Sequence, residues 1–136
     1  MTETNNEYPS IHVGNTVLVV TMDVDEADEA EFNEWYNEQH LPERMAIPGY
    51  VSARRFKLKD GNNALKYLCI WEMVDGSPLQ SEMYKEQNSH PTELYLRVNK
   101  TIKLRTRGLY HQVYPEAGTS FEDRSGFYGE RLPAHP

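Results

Sequence analysis

The sequence predicts a single α+β domain with four strands and two helical regions in the order β-α-β-β-α-β. Three observations lead to this prediction. Segments with strand-like and helix-like periodicity alternate along the chain. The 136 residues suffice for one ordinary domain but not for two. Hydrophobic residues make up 38% of the chain and charged residues 26%, which supports a packed core and excludes wholesale disorder.

The first strand and the first helix are predicted from adjacent segments. Residues 16–24 (TVLVVTMDV) are β-branched and apolar, which is typical of a strand. Asp25 or Asp28 can cap a helix that runs to about Leu41. Pro42 follows and is expected to end the regular structure.

The middle of the chain predicts a hairpin followed by a second helical region. Residues 50–58 and 65–73 are strand-like, and the turn-forming residues 60–63 (DGNN) join them. Ser77 and Pro78 then open a helix, with Ser77 as N-cap and the proline in the first turn.

The remaining segments complete the domain and its boundaries. The second helical region is interrupted at residues 88–91, and residues 103–114 form the fourth strand. We expect a flexible arm over residues 1–15, the domain over 16–115, and a tail over 116–136 that docks on the domain or on a partner subunit. After the interruption, a further helical stretch is predicted from the spacing of four apolar residues: Leu94, Tyr95, Val98 and Ile102.

This order of elements is the split βαβ arrangement of ferredoxin-like folds, with the first and third strands at the centre of an antiparallel sheet. Both central strands are apolar on both faces, whereas a sheet with one solvated face should alternate. Because two helices cover only one face, we expect a sheet-to-sheet homodimer to cover the other. The alternative cover is the chain's own tail, which contains Phe121, Phe127 and Tyr128.

The net charge of −7 makes nucleic acid an unexpected partner. The longest apolar run, residues 17–20, is too short to span a bilayer, and no secretory signal follows Met1. The single cysteine, Cys69, cannot form a disulfide within the chain, which favours a reducing compartment and a cytoplasmic location.

The charges are segregated along the chain. Residues 23–43 contain nine acids and no base, which is typical of a solvated helix face. Residues 44–59 and 97–107 each contain five bases and no acid, and both blocks fall on predicted edge strands. Such charges prevent edge-to-edge pairing of sheets. Alternatively, they form an electropositive rim that attracts an anionic small molecule.

Residues 31–56 (EFNEWYNEQHLPERMAIPGYVSARRF) resemble the EthD-like branch of the dimeric α/β-barrel superfamily. The resemblance lies in an aromatic-rich helix, a His-Leu-Pro at its end, an Ile-Pro-Gly, a tyrosine and an Arg-Arg-aromatic strand. It implies a homodimer with facing sheets and a small-molecule cavity between the sheet and helices of each subunit. The superfamily includes monooxygenases, isomerases, cyclases and haem-dependent branches, so the resemblance implies the fold more strongly than the reaction.

His40 is the principal candidate for catalysis. It continues the apolar stripe of Phe32 and Tyr36 at helical spacing, so it is expected to point inward from the last helical turn. A helix C-terminus favours the charged imidazole and burial favours the neutral one, which predicts titration near neutrality and general acid/base chemistry. The alternative is a core histidine that caps the helix. The resemblance implies a pocket histidine at this His-Leu-Pro.

Further candidates surround His40. Tyr36 or Tyr67 could hydrogen-bond the oxygen of the substrate on which negative charge develops. Arg54 and Arg55 point to opposite faces of their strand, so at most one lines a given cavity, and we assign Arg54 the role of orienting a carboxylate. Packing, capping or edge protection is the alternative for each. The residues predicted to bind substrate are Trp35, Tyr50, Tyr67, Trp71, His111 and Asp23.

The sequence does not predict a metal site, since His40 and Glu43 lack further ligands at a recognisable spacing. No organic cofactor is expected. The resulting hypothesis is a cofactor-independent isomerase, lyase or cyclase that acts on an aromatic or polyketide-like, anionic molecule. The alternatives are a cofactor-independent monooxygenase of the same fold and a non-catalytic metabolite-binding protein.

Overall fold

The computed structural model describes residues 15–115. The predictions for residues 1–14 of the N-terminal arm and for the C-terminal tail, 116–136, lie outside the described residues. Four strands form one antiparallel sheet in the order β2-β3-β1-β4, so β1 and β3 are central, as predicted. The strands are β1 (Thr16–Val24), β2 (Tyr50–Lys57), β3 (Tyr67–Met73) and β4 (Ile102–His111). The chain therefore has the α+β ferredoxin-like fold that the element order predicts.

Helices follow β1 and β3 in the chain. Short 3₁₀ turns at Glu26–Asp28 and Ser77–Gln80 precede the two helical regions. A π-helical turn, Tyr36–His40, lies between the first two α-helices. The α-helices are α1 (Glu29–Trp35), α2 (Leu41–Met45), α3 (Glu82–Asn88) and α4 (Glu93–Asn99).

The prediction that the first helix ends before Pro42 is wrong. A proline inside an α-helix lacks the N–H that would bond the carbonyl four residues earlier, and its ring clashes with that carbonyl. In this chain the preceding turn is widened, and the N–H of Leu41 bonds the carbonyl of Tyr36, five residues back. The π turn therefore absorbs the proline, and the helix continues to Met45.

Further element boundaries differ from the predictions: β3 begins at Tyr67 instead of residue 65, and β4 ends at His111 instead of residue 114. Ser77 opens only a 3₁₀ turn, whereas Ser81 caps α3 by accepting a hydrogen bond from the N–H of Tyr84. Ile102 is not the last apolar position of the second helix but the first residue of β4. The predicted interruption at residues 88–91 is confirmed, and the side chain of Thr92 caps α4 after it.

The core lies between the helices and one face of the sheet. Phe32 of α1 and Met73 of β3 are completely buried there. The strand residues on this face include Leu18, Met22, Tyr67, Cys69 and Trp71. Within residues 15–115 no helix is both long enough and apolar enough to cross a bilayer.

The opposite face of the sheet carries no helix among the described residues, and we call it the open face. Its central rows are apolar, because Val19 of β1 lies opposite Ile70 of β3 and both are only partly buried. Three larger side chains on its outer strands are 40–59% exposed: Phe56, Leu104 and Tyr110.

Candidate functional site

A cavity of about 410 Å³ lies between the helices and the core face of the sheet. Leu18 and Val20 of β1 and Trp71 of β3 line it from the sheet, while Trp35 and Tyr95 line it from α1 and α4. Small-molecule sites commonly occupy about 300–1,000 Å³ and have mostly apolar walls with a few polar groups. The size and lining therefore suit a small aromatic molecule.

His40 lies in an aromatic box within this cavity. Its imidazole stacks on the indole of Trp35, with centroids 4.5 Å apart and planes 18° from parallel. The rings of Tyr36 and Trp71 meet it edge-to-face at 5.1 and 5.3 Å. Three rings thus fix the orientation of the imidazole, as a proton-transfer group requires.

The imidazole of His40 is neutral and has no polar partner. Among the described residues, neither of its ring nitrogens makes a hydrogen bond, and neither is sealed from the cavity. Burial lowers the pKa of His40 to about 3, and the positive charges of Arg44 and Arg55 add to the effect. The expectation of titration near neutrality is therefore wrong, because the helix continues past His40 and provides no C-terminal dipole there.

Tyr36 extends this site towards the sheet. Burial raises the pKa of Tyr36 well above its usual range, and the nearby thiol of Cys69 adds to the effect. Burial raises the pKa of Cys69 to about 11, so both groups are protonated at neutral pH. Tyr36 is therefore a hydrogen-bond donor and not a base.

Arg55 lies behind Tyr36, outside the cavity wall. Its guanidinium is 4.3 Å from the centre of the Tyr36 ring and also faces the rings of Phe32 and Tyr67. Nη1 donates to Asn37 over 2.8 Å, whereas Nη2 is buried and has no acceptor among the described residues. A cation thus lies against Tyr36, one of the three rings around His40.

The rim of the cavity is basic. Arg44 from α2 and Arg105 and Arg107 from β4 line it, whereas Glu43 is the one acid among the described lining residues. The other polar groups at the rim include Gln39, Gln87, Asn88, His90 and Thr92. Three of the ten bases in the two basic blocks thus line the cavity, and both roles that the sequence left open for the blocks stay predictions.

Arg44 ties α3 to α2 across the mouth of the cavity. Its Nη1 donates to the side-chain oxygen of Gln87 over 2.8 Å and its Nη2 to that of Asn88 over 2.7 Å. The guanidinium also lies 4.4 Å from the centre of the Tyr84 ring. We call this set of contacts the Arg44 latch. Since α3 has no buried residue, polar contacts at the surface hold this wall of the cavity.

The structure brings five of the sequence-predicted residues together in the cavity wall. Two of them, His40 and Tyr36, were assigned catalytic roles. Burial raises the pKa of Tyr50, another of the five, to about 12, so this phenol is protonated as well. The three predicted substrate-binding residues in the wall are Trp35, Tyr50 and Trp71.

Arg54 lies on the open face, away from the cavity. It pairs with Ile70 in the β2–β3 register, and its guanidinium is 5.0 Å from the centre of the Phe56 ring. Arg55, which pairs with Cys69, is the arginine that faces the helices. The choice of Arg54 as the cavity arginine is therefore corrected.

Three other predicted residues also lie outside the cavity. The hydroxyl of Tyr67 donates to Glu29 over 2.6 Å in an ion-pair network at the start of α1. Asp23 pairs with Leu104 and lies on the open face. His111 is exposed at the end of β4. The sequence predicted the strand of each of these residues, but not which part of the sheet the helices cover.

His90 lies at the mouth of the cavity and caps α3, since its Nδ1 is 3.0 Å from the carbonyl oxygen of Glu86. Among the described residues, no three or more metal-binding side chains come together. The sequence reasoning missed Arg44, Arg105 and Arg107 as lining residues. The base-only blocks were the signal that could have found them.

The chain belongs to the family described as Domain of unknown function (DUF4286), which matches residues 15–111. This segment covers the whole sheet and all the helices described above. No curated protein sequence matches the chain.

Solved structures of other proteins share the fold. A dimeric ferredoxin-like protein from an uncultured marine organism is 14% identical, with a TM-score of 0.58 over 76% of this chain and 91% of its own. The haem degrader MhuD from Mycobacterium tuberculosis is 11% identical, with a TM-score of 0.54 over 72% and 95%. SnoaB, a cofactor-independent oxygenase from Streptomyces nogalater, is 19% identical as its N63A mutant, with a TM-score of 0.51 over 74% and 97%.

These similarities confirm the predicted ferredoxin-like fold. At this level of identity the similarity describes architecture, and the reaction has to be argued from the site.

Proposed function

We propose that the chain is a small-molecule enzyme that acts on an aromatic or polyketide-like anion by moving a proton at His40, without a metal or organic cofactor. The reaction is an isomerisation, an elimination or a cyclisation. One observation carries the proposal: a neutral imidazole without a polar partner is held by three aromatic rings in a cavity with a basic rim.

The low pKa of His40 is compatible with this role. Burial and two guanidinium groups oppose protonation, so the imidazole is available to accept a proton at neutral pH. When a bound molecule loses that proton it gains negative charge beside the ring, which stabilises the imidazolium and raises its pKa. The Tyr36 hydroxyl can donate a hydrogen bond to the oxygen on which the charge develops.

The proposal can be tested in D₂O with a panel of aromatic and polyketide-like carboxylates and ketones, followed by proton NMR. The wild type should convert at least one compound, or exchange one of its C–H protons, and His40→Gln should do so at least about 100-fold more slowly. Retained binding of the compound by His40→Gln shows that the cavity is intact. An unchanged rate in that variant would contradict the proposal, and a ligand always returned unchanged would favour a binding protein.

A cofactor-independent oxygenase is the second candidate, and the fold similarity to SnoaB favours it. In that reaction His40 would remove a proton from an electron-rich phenol or enol, and the resulting anion would reduce O₂. One oxygen atom would enter the substrate as it loses two hydrogens, and the other would leave as water. Oxygen consumption that matches turnover separates this reaction from the first candidate.

We also propose that the protein is a homodimer formed through the open face. The facing pair Val19 and Ile70 and the exposed Phe56 and Leu104 provide an apolar surface that a second copy would cover. Sedimentation should give a dimer at micromolar concentration, and Ile70→Glu should give a folded monomer. A monomeric wild type would contradict this proposal.

A further inference from the structure

The three arginines at the cavity rim differ in how they are engaged. Arg44 is held by Gln87 and Asn88 in the Arg44 latch. The Nη2 of Arg105 donates to the side-chain oxygen of Asn99 over 2.7 Å. These contacts fix two of the guanidinium groups to the helices and use part of their hydrogen-bonding capacity.

Arg107 is different, because within residues 15–115 its side chain makes no hydrogen bond or ion pair. It lies opposite Val20 in the β1–β4 register, and both residues line the cavity. Residues paired across two antiparallel strands lie on the same face, so Arg107 projects from the edge strand over the cavity floor. A guanidinium has five N–H donors in a planar fork that fits a carboxylate.

We propose that Arg107 is the residue that binds the anionic group of the ligand, and that the ligand is a planar aromatic or conjugated carboxylate held in one orientation. Its ring system would lie against Trp35 and Trp71, beside His40, and its carboxylate would point to the β4 edge. This inference rests on the proposed function and adds to it the anion-binding residue, the carboxylate and the polarity of binding.

The positions of the aromatic and charged groups support a single orientation. Trp35 and Trp71 both contact the imidazole of His40, so the aromatic wall and the proton-transfer group coincide. Arg107 is two strands away from Trp71, since β1 lies between β4 and β3. Adjacent strands are about 4.8 Å apart, which leaves roughly 10 Å between the two backbones, enough for a ring and a carboxylate side by side.

Protection of the sheet edge is the other role for a charge on β4. That role predicts that Arg107→Met self-associates and binds carboxylates as the wild type does. Anion binding predicts that Arg107→Met does not self-associate and that it binds carboxylates more weakly. The two roles can therefore be separated by experiment.

The test uses cinnamate and cinnamamide, which share a planar conjugated skeleton and differ in charge. The chain has two tryptophans, and both line the cavity, so their two indole N–H signals in ¹⁵N NMR spectra report ligands at this site. The wild type should bind cinnamate at least about tenfold more tightly than cinnamamide, as expected for a hydrogen-bonded ion pair.

Arg107→Met should lose this preference by weakening cinnamate and leaving cinnamamide unchanged, and Arg107→Lys should keep part of it. Arg97→Met is the matched control, because this substitution also removes one positive charge. Arg97 pairs with Glu31 on the outer surface, away from the cavity. This control should keep the full preference.

The outcomes separate the inference from the proposed function. If the wild type binds both probes equally, or if Arg107→Met retains the preference, the inference is overturned while the role of His40 stands. If neither probe shifts either indole signal, the aromatic binding site is overturned and the inference falls with it.

Discussion

The imidazole of His40 and the indole of Trp35 stack although they are five positions apart in a helix. In a regular α-helix, five residues would place them about 140° apart around the axis. The π turn Tyr36–His40 spreads the same residues over a wider ring and brings the two side chains together. The local geometry of the helix thus creates the aromatic box, consistent with the frequent occurrence of π turns at functional sites.

Acid should destabilise the protein over the range in which His40 titrates only in the unfolded chain. The pKa of His40 is lowered by burial from 6.5 to about 3 in the folded chain. Between these values the unfolded state binds a proton that the folded state does not. The free energy of unfolding should therefore fall with decreasing pH, by up to about 1.4 kcal/mol per pH unit.

The contribution of His40 can be isolated with His40→Gln, which cannot titrate. Urea denaturation of both proteins from about pH 7 to about pH 5 should give a shallower pH dependence for the variant, and the other histidines cancel in the difference. Equal slopes for the two proteins would show that His40 binds a proton as readily in the folded chain as in the unfolded chain.

Removal of the Arg44 latch should loosen α3 without affecting the sheet. Arg44→Met loses the hydrogen bonds to Gln87 and Asn88, and α3 has no buried side chain to compensate. Amide hydrogen exchange in residues 82–88 should accelerate about tenfold, while β1 and β3 keep their protection. Arg97→Met is again the control. Faster exchange of α3 in Arg97→Met, or unchanged exchange of α3 in Arg44→Met, would contradict the role of the latch.

Gly49 should not tolerate a side chain. Its φ is +102°, and a Cβ built on it would come within 2.6 Å of Cγ of Pro78. Gly49→Ala should therefore lower the free energy of unfolding by about 2 kcal/mol or more, as measured by urea denaturation. Gly61→Ala is the matched control, because its nearest neighbour is the end of the Leu58 side chain at 3.3 Å. A change within about 1 kcal/mol is expected there.

Glu29 should stabilise the protein at neutral pH and lose this effect in strong acid. Hydrogen bonds from Lys66, Tyr67 and Lys57 lower the pKa of its carboxyl to about 2. A lowered pKa in the folded state gives stability that is present above the usual value of 4.5 and is lost as the pH falls through about 2. Glu29→Gln should therefore lower the melting temperature at pH 7 but not near pH 2.

The matched control for this network is Glu82→Gln. The Glu82 side chain is 94% exposed and lies 3.7 Å from Lys85, a surface pair of the kind that contributes little. The melting temperature of Glu82→Gln should equal that of the wild type both at pH 7 and near pH 2. A loss in Glu82→Gln equal to that in Glu29→Gln would indicate a general effect of charge and not the network.

The sequence predicted the sheet well, because its signals are local. The bounds of β1 agree with the prediction, since a β-branched apolar run on a central strand leaves little ambiguity. The end of the first helix was mispredicted at Pro42, because the expected break assumes α geometry and the π turn removes the clash.

The site was less predictable because it depends on which face of each strand the helices cover. The alternation of side chains along a strand showed that Arg54 and Arg55 point to opposite faces of the sheet. Because both faces have apolar residues, the sequence did not show which arginine faces the helices. The pairing of Arg55 with Cys69 places Arg55 on the face that the helices cover, although neither arginine lines the cavity. Arg107 was hidden for a similar reason, since its role depends on the space left between β4 and the helices.

No residue of α3 is fully buried, so the wall that it forms depends on polar contacts and not on the hydrophobic core. Substitutions along its inner surface can reshape the cavity while the sheet and the aromatic box remain intact. The compounds that this cavity accepts could thus be changed through substitutions in one short helix. The same scaffold and the same histidine would then serve different compounds.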